Sequence, residues 1–548
     1  MTELSSATEA ESRPSHAAGI ARGAGIIAGL TVLARILGLV RTLVFSQTVG
    51  ATCLGTAYVT ANQVPSLVYE LVLGGAMASV MVPVLARSAE RSATDPEAKA
   101  EVSRVSSALL TWTLLILVPL SVLVLLASGP IAALLNPANP GEHCVHAQVV
   151  ATTASMLRVF APQAVLYGLS VVLFGLLQAY RRFVGYALAP LVSSLVLIAA
   201  YLAFAALANG APIARLSESD ELVLSVGTTV GVAALAVVSL IPARRLHLRL
   251  RPTLRFPPGI ARRAGGLVLV GMAEIVVQEI STIAVIALAN GRGATGALVL
   301  YTYAWQVFNS LNAVLALSIV LSAFPVLSAR DGAVFDRTCA GSTRAVILVT
   351  CLGTAVVAAI AVPAAHVFAK SAGQVPQLIL GFVLYAPALL GTGVIANLTR
   401  ALLALGRLRY AAAGLVGSGL IALLAQVVLA EIVPARQVVG ALALGNTIGV
   451  TVVAVPLVIV TRRIRGKDAV QGVGRTTVVG LAAAAVGVLA GVVVGISFPA
   501  TGKLSYAIAA VVAACCAVVA FGVVAFFLDN SDLRVILARA RQVVGLRS

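Results

Sequence analysis

The chain has 548 residues, of which 60% are hydrophobic and 11% are charged, against about 25% charged residues in an ordinary soluble domain. This composition excludes a soluble fold. The mean hydropathy is +1.02, and 48 glycines and 22 prolines interrupt the apolar sequence at short intervals, as in a series of membrane spans. The net charge of +18 is therefore interpreted by its position relative to the bilayer and does not indicate nucleic-acid binding.

Apolar stretches of about 20 residues, enough to cross roughly 30 Å of hydrocarbon, recur along the whole chain. We predict an all-α polytopic membrane protein with 14 transmembrane helices. The predicted spans comprise residues 23–48, 55–86, 105–135, 150–180, 184–209, 221–243, 264–290, 296–328, 345–369, 375–404, 410–430, 437–461, 476–498 and 504–528.

The distribution of basic residues predicts the orientation. With the N-terminus in the cytoplasm, 30 of the 38 Lys and Arg residues fall in cytoplasmic segments, five fall in outer loops and three lie within spans. Such an asymmetry is a strong positive-inside signal, because cytoplasmic loops of membrane proteins are enriched in Lys and Arg. Both termini are expected in the cytoplasm.

An internal repeat divides the spans into two pseudo-symmetric six-helix lobes. Residues 58–64 (YVTANQV) match residues 301–307 (YTYAWQV), and Ala161-Pro162 matches Ala386-Pro387, both at an offset of six spans. Repeats of parallel topology are a common transporter plan, with the substrate site between the lobes. The predicted segments are a disordered N-tail 1–19, an N-lobe 20–243 (spans 1–6), a basic linker 244–263, a C-lobe 264–463 (spans 7–12), a loop 464–475, spans 13–14 in 476–528 and a C-tail 529–548.

The basic linker carries seven arginines, and its prolines forbid a long helix. Two interpretations remain open for it. It is either a juxtamembrane anchor that touches anionic lipid, which is the commoner role of such segments, or a specific binding site.

Two arginines of the first span are candidate substrate ligands. Arg35 and Arg41 lie within an apolar stretch, where an arginine costs roughly 2.5 to 3.5 kcal/mol, so they are expected to face a wet cavity or a partner. One hypothesis is a cationic pocket for a phosphate-bearing substrate, because guanidinium groups match phosphate oxygens bidentately. The alternative is a buried ion pair with Glu70 or with the glutamates of span 7.

Span 7 supplies the candidate coupling residues. Glu274 and Gln278 share a helix face, and with Glu279 they could carry a proton or Na⁺ or take part in ion pairing. A third intramembrane arginine, Arg158, is interpreted as a structural anchor near the outer surface.

The sequence shows no catalytic motif and no paired carboxylates at catalytic spacing, so we predict a transporter rather than an enzyme, with no catalytic or metal-binding residues. The six cysteines have no C-x-x-C spacing, and neither a zinc site nor a disulfide framework is expected.

The first two spans resemble the opening of the MurJ/MviN lipid II flippases of the MOP exporter superfamily. The resemblance extends over about residues 20–528. The matching segments are Ala34-Arg35-Ile-Leu-Gly38-Leu-Val-Arg41, Gly50-Ala51, Ala57-Tyr58, Pro65-Ser-Leu, Gly75-Ala76, Val82-Pro83-Val-Leu, Arg182-Phe183, Tyr303-Ala304 to Pro325, Arg400-Ala-Leu-Leu-Ala-Leu-Gly406 and Gly445-Asn446.

The resemblance implies a flippase of the bacterial plasma membrane that moves the lipid-linked peptidoglycan precursor to the outer leaflet by alternating access, for cell wall synthesis and cell shape. It implies a cationic cavity, with Arg35 and Arg41 at the family's first-span arginines, and a lipid-tail groove at spans 13 and 14. The polar residues Asn62, Glu70 and Gln306 complete the predicted substrate-binding set. No cofactor is expected besides Na⁺ or H⁺ as a coupling ion.

The chain departs from the family pattern in its charged residues. It has Tyr69-Glu70 where the family has two arginines, Ala304-Trp305-Gln306 where it has Ala-Asp-Arg, and Thr56 where it has an acidic residue. Span 11 offers Gln426 but no carboxylate, which argues against the family's Na⁺ site.

These departures keep alternatives open: a flippase for another polyprenyl-diphosphate-linked glycan, a cation-coupled drug antiporter, or a non-transporting membrane scaffold. The expected partners are a lipid-linked glycan, membrane lipids and peptidoglycan synthesis proteins, and no nucleic acid.

Overall fold

The computed structural model describes residues 13–74, 88–92, 95–139, 144–255, 260–329, 331–499 and 501–528. All regular secondary structure in these residues is helical. The helices of the first half are α1 (Arg13–Thr48), α2 (Cys53–Tyr69), α3 (Pro96–Leu126), α4 (Ser128–Leu135), α5 (His146–Phe160), α6 (Gln163–Ala179), α7 (Phe183–Ala208) and α8 (Glu218–Arg244). Those of the second half are α9 (Ile260–Arg292), α10 (Ala297–Ala329), α11 (Gly332–Phe368), α12 (Val375–Tyr385), α13 (Ala388–Ala404), α14 (Leu408–Ile432), α15 (Val438–Arg465), α16 (Val473–Ser497) and α17 (Lys503–Leu528).

Eleven helical segments of the described residues are long and apolar enough to cross a membrane, and the bent pair α5–α6 makes twelve. They correspond to predicted spans 3 to 14. Predicted span 1 coincides with helix α1. Span 2 begins in α2 and a π-helical segment (Glu70–Gly74), but its remainder lies outside the described residues. The count of fourteen and the cytoplasmic position of both termini therefore stay predictions.

Two boundaries differ from the sequence prediction. Helix α1 begins at Arg13, so residues 13–19 are helical and not part of a disordered tail, with Pro14 in the first turn, where its missing N–H costs nothing. Helix α11 begins at Gly332, capped by Asp331, and thus extends 13 residues before predicted span 9. The remaining tail residues, 1–12 and 529–548, lie outside the described residues.

Equivalent proline breaks support the internal repeat. Helices α5 and α6 meet at Ala161-Pro162 with a bend of 41°, and α12 and α13 meet at Ala386-Pro387. In each case the proline precedes a new helix, because it lacks the N–H that a continuous helix needs. The two breaks are six predicted spans apart, as the sequence repeat requires.

Three clusters of buried apolar residues show how the halves pack. One cluster lies within the first half and includes Val102 and Leu177, and a second lies within the second half and includes Leu398 and Leu457. Both lie near helix ends that carry the basic loops. The third cluster, near the opposite ends, joins both halves. Within the described residues, the halves therefore share an apolar cluster at one end of the helices and have separate apolar clusters at the other.

The last two helices pack on the second half through small residues. Helices α16 and α17 contact each other and both contact α11. A Cβ at Gly491 would lie 2.4 Å from Ala359 Cβ, and one at Gly487 would lie 3.0 Å from the Ala517 carbonyl oxygen. Such close approach of small residues is a usual basis of helix association in membranes.

A disulfide joins Cys53 to Cys144, and the expectation of no disulfide framework was wrong for this pair. The two cysteines are 91 residues apart, and the fold brings the start of α2 next to the segment before α5. Motif spacing cannot reveal a bridge that depends on tertiary contact. Cys339, Cys351, Cys515 and Cys516 are free thiols.

We expect Cys53→Ser combined with Cys144→Ser to lower the free energy of unfolding by about 2–4 kcal/mol, because the bridge restrains a long loop in the unfolded chain. The thermal unfolding midpoint of the purified protein measures the loss. The matched control is Cys515→Ser with Cys516→Ser, which removes two free thiols and should leave the midpoint nearly unchanged. Equal midpoints for both double variants would contradict this prediction.

Candidate functional site

A cavity of about 550 Å³ lies between the two halves. The first half contributes residues of α2 and the π-helical segment, and the second half contributes residues of α9, α10 and α12–α15. Its lining includes the polar side chains Gln63, Ser66, Glu70, Glu274, Gln278, Glu279, Ser281, Thr282, Tyr301, Thr302, Trp305, Asn309, Asn312, Tyr385, Thr392, Ser418, Gln426 and Asn446. Among these described lining residues are three glutamates and no lysine or arginine, so the cavity wall is acidic.

Two of the glutamates meet across the cavity. Glu70 begins the π-helical segment of the first half, and Glu279 lies on α9 of the second half. Their carboxyl groups are hydrogen-bonded to each other, and Ser66 Oγ donates to Glu70 Oε1 at 3.2 Å. A hydrogen bond between two carboxyl groups requires a proton on one of them. The two carboxyl groups therefore bring the halves into contact at the cavity.

The third glutamate lies near a basic residue of predicted span 375–404. Glu274 lies in electrostatic range of Arg400, which is half-buried on α13 and donates to the Ala396 carbonyl oxygen at 3.2 Å. Ala396 itself lines the cavity, whereas Arg400 does not. Arg400 thus supplies positive charge behind the acidic wall. Arg400 lies near the C-terminal end of predicted span 375–404, and this position was the signal available in the sequence.

The first-span arginines lie outside the cavity lining. Arg35 and Arg41 are half-buried on α1, and neither forms an ion pair with Glu70, Glu274 or Glu279 in the part of the chain that is described. The ion-pair alternative is therefore absent from this conformation.

Arg41 is connected to the cavity by aromatic residues. The positive charge of its guanidinium group interacts electrostatically with the hydroxyl groups of Tyr167 and Tyr201. Tyr167 stacks on Tyr69 with ring centroids 5.4 Å apart, and Tyr69 directly precedes Glu70. Arg41 is thus placed on the first-half side of the site, behind a tyrosine layer.

The two predicted amide ligands are replaced at the cavity wall by their neighbours. Gln63 and Trp305 line the cavity, whereas Asn62 and Gln306 do not. Gln306 donates to Ser310 Oγ at 3.2 Å along its own helix. A shift of one residue rotates a side chain by about 100° around a helix, which sequence matching alone could not resolve. Arg158 donates to Ser128 Oγ at 3.2 Å, as its anchoring interpretation expects.

Polar contacts hold the halves together beyond the cavity. Gln47 Nε2 donates to the Val367 carbonyl oxygen at 2.8 Å, and Gln374 Nε2 donates to that of Ala51 at 2.8 Å. Asn139 Nδ2 donates to the Gly293 carbonyl oxygen at 2.8 Å. We call this region, which lies at the end where the shared apolar cluster packs, the joined end.

Asn290 is the most connected side chain of the joined end. Its amide nitrogen lies within hydrogen-bonding distance of Thr60 Oγ1 at 3.0 Å, the Leu135 carbonyl oxygen at 2.9 Å and Asn136 Oδ1 at 3.1 Å. All three acceptors belong to the first half, whereas Asn290 lies on α9. The contacts are neutral, so they can be broken without separating ions.

Lys370 adds a charged contact at the joined end. Its Nζ donates to the Thr48 carbonyl oxygen at 2.9 Å. Burial, and then the positive charge of Lys503, lowers the pKa of Lys370 from its ordinary value. Lys503 in turn contacts Gln47 Oε1, so α17 also touches the joined end.

Comparison with known proteins identifies the family. The model of the MurJ lipid II flippase family matches residues 45–514. The chain belongs to the MurJ lipid II flippase family.

A probable lipid II flippase MurJ of Synechocystis sp. is 27% identical over 252 residues, which are 43% of this chain and 43% of the relative. The matched region thus spans less than half the length of that curated relative. Family membership rests on the family model, which covers most of the chain.

Solved structures support the MurJ-type fold. A lipid II flippase MurJ in an inward closed conformation has a TM-score of 0.68 at 16% identity, over 91% of this chain and 98% of that chain. An inward-facing multidrug resistance MATE family transporter of the MOP superfamily has a TM-score of 0.62 at 15% identity, over 81% and 98%. At these identities the likeness shows the fold alone.

We expect Gly296→Ala to loosen the joined end. Gly296 has a φ of +79°, and an added Cβ would lie 2.4 Å from the Ala51 carbonyl oxygen. Hydrogen exchange of the amides of residues 49–56 should become faster.

The matched control is Gly210→Ala. Gly210 has a φ of +75°, but an added Cβ would meet no atom within 4 Å. Both variants carry the backbone strain, and only Gly296→Ala carries the clash. Equal exchange of residues 49–56 in the two variants would show that the close approach at Gly296 does not hold the halves together.

Proposed function

We propose that this protein is a lipid II flippase of the bacterial plasma membrane, which moves the lipid-linked peptidoglycan precursor from the inner to the outer leaflet. The observation that carries the proposal is the match of the family model over residues 45–514. The cavity between two halves joined at one end fits alternating access, because a rocking of the halves would expose the same site to either side.

The joined end faces outward in this proposal. Cys53 and Cys144 lie at that end, in loops with few basic residues, and disulfides persist in oxidising compartments. The opposite end carries the basic loops, which favour the cytoplasm. The cavity is then approached from the inner leaflet, where the precursor is made.

In this mechanism the diphosphate binds to Arg35 and Arg41 on the first-half side of the site, outside the cavity lining of this conformation. Guanidinium groups bind phosphate oxygens bidentately, and neither arginine is committed to an ion pair with the cavity glutamates. The acidic wall opposite them makes release of an anion easier, because it opposes tight binding of the diphosphate deeper in the cavity.

The Glu70–Glu279 pair carries the coupling in this mechanism. Loss of the shared proton would place two negative charges in contact, which disfavours the packed arrangement of the halves. Proton exchange at this pair would therefore bias the rocking motion. Glu274 and Gln278, on the same wall, complete the coupling set.

A cation-coupled antiporter for organic cations is the second candidate. The acidic lining of the cavity favours it. The two functions are separated by their cargo, since an antiporter lowers cellular drug accumulation and a flippase exposes lipid II.

The proposal is tested by expressing the protein in a flippase-depleted bacterium and measuring lipid II on the outer leaflet. We expect wild type to restore growth and exposure, and Arg41→Ala to reduce exposure at least about tenfold at equal protein levels, because a charge-assisted phosphate contact is lost. Arg158→Ala is the control, since Arg158 is exposed and bonded to Ser128 away from the cavity.

Failure of well-expressed wild type to expose lipid II would contradict the proposed cargo. Full exposure with Arg41→Ala would contradict the phosphate role of Arg41 while leaving the cargo intact. Reduced drug accumulation without lipid II exposure would favour the antiporter.

Proton coupling predicts a separate result for Glu279→Gln. Glutamine keeps a hydrogen-bonding group but does not titrate. In proteoliposomes we expect an imposed pH gradient to accelerate lipid II transport by wild type about fivefold or more and to have no effect on the variant.

Glu431→Gln is the matched control for this test, because Glu431 pairs with Arg292 outside the cavity and should leave the response intact. An equal response of wild type and Glu279→Gln would exclude the pair as the coupling site.

A further inference from the structure

The segment that connects the two halves packs along a single helix of the first half. Residues 246–255, here called the arginine strap, follow α8 and lie beside α3. Leu246 is buried, and Leu248 packs against the same apolar cluster as Val102 and Leu109 of α3. The strap therefore packs against the first half, although the chain continues from it into the second half.

Hydroxyl groups of α3 accept the backbone hydrogen bonds of the strap. The N–H groups of Arg249, Arg251 and Thr253 donate to Ser103 Oγ at 3.2 Å, Ser107 Oγ at 3.0 Å and Thr111 Oγ1 at 3.2 Å. Two residues of an extended chain rise about 6.6 Å, and four residues of a helix rise about 6.0 Å. The two rises nearly match, so every second N–H group of the strap lies beside the hydroxyl group one helical turn further along α3. We call this row of three hydrogen bonds the hydroxyl ladder.

An aromatic residue ends this ladder. Trp112 Nε1 donates to the Leu254 carbonyl oxygen at 3.2 Å. Beyond it, Leu114, Leu115 and Val118 of α3 are exposed apolar residues, as expected of a lipid-facing surface. Within the described residues, the last contact of the strap with α3 therefore lies where the apolar face of α3 begins.

The exposed side chains of the strap are cationic and apolar. Arg249, Arg251 and Arg255 are exposed, and Leu250 and Leu254 between them are also exposed. Residues 244–263 contain no acidic residue, so no carboxylate within the segment neutralises these charges.

We propose that the arginine strap is a binding site for the headgroups of anionic phospholipids in the inner leaflet. The guanidinium groups bind phosphate oxygens, and Leu250 and Leu254 insert between the acyl chains. The hydroxyl ladder on α3 fixes the depth and spacing of the arginines. The site lies apart from the cavity and rests on the membrane orientation of the proposed function.

The test uses the full chain in nanodiscs of equimolar phosphatidylcholine and phosphatidylglycerol, with bound lipid identified by native mass spectrometry after release. Combined Arg249→Gln, Arg251→Gln and Arg255→Gln should weaken the preference for phosphatidylglycerol on the order of a hundredfold, since each arginine near an anionic surface contributes about fivefold.

The control combines Arg337→Gln, Arg462→Gln and Arg463→Gln, three exposed arginines of the second half with the same total charge. An equal preference in wild type and the strap variant, or an equal loss in the control, would overturn the proposal.

A second variant tests the docking of the strap on α3 separately from the charge of the strap. Ser103→Ala, Ser107→Ala and Thr111→Val keep every arginine but remove the three acceptors. Hydrogen exchange at residues 249–253 should become faster, and the lipid preference should weaken. Unchanged preference with a released strap would overturn the role of the ladder.

Competition distinguishes the ligand sources. Inorganic phosphate should not displace phosphatidylglycerol, because it has no acyl chain to hold Leu250 and Leu254. Displacement by a polyprenyl diphosphate at much lower concentration would instead assign the strap to the cargo and overturn the proposal. None of these readouts requires transport, so a failed flippase test and a failed lipid-binding test are distinguishable.

Discussion

The structure depends on the union of its two halves at one end. Apolar side chains from both halves form one cluster there, and neutral amide groups such as those of Asn290, Asn139 and Gln374 donate across the boundary to backbone carbonyls and hydroxyls. Where the halves are packed together, such a contact satisfies the buried polar groups. Where they separate, water replaces the contact, because no ion pair must be separated. At the other ends of the described helices the halves have separate apolar clusters, and the cavity lies between the halves.

The charged groups around the cavity are also divided between the two halves. Glutamates of both halves occupy its wall, Arg400 stands behind one side, and Arg41 lies behind tyrosines on the other. Because these groups lie at one site between the halves, each protonation or binding event at the wall acts on how the halves fit together. The family resemblance predicted a cationic cavity, and the described lining of this chain is acidic instead.

Much of the fold was accessible from the sequence. Spans 3 to 14 were predictable because a helix in lipid must satisfy its own backbone hydrogen bonds over about 20 apolar residues. The Ala-Pro pairs at Pro162 and Pro387 predicted equivalent positions, and the helices break there. Glu70, Glu274, Gln278 and Glu279 were also predicted, and they line one cavity.

Other features depend on tertiary contacts that no local pattern contains. The bridge from Cys53 to Cys144 needs two distant segments to meet, and the meeting of Glu70 with Glu279 needs both halves. The choice of Gln63 over Asn62 depends on helix rotation, which a weak repeat does not define. The hydroxyl ladder under the arginine strap was hidden because Ser103, Ser107 and Thr111 look like ordinary small residues of a span.

Alternating access requires that the halves rock about their joined end. The direct measurement is the distance between spin labels at Arg104 of the first half and Arg337 of the second, with Cys515 and Cys516 replaced by serine. Both label sites are exposed at the ends where the halves have separate cores. We expect two distance populations in membranes and a shift between them when lipid II is added. A single distribution that lipid II leaves unchanged, in protein that still transports, would contradict it.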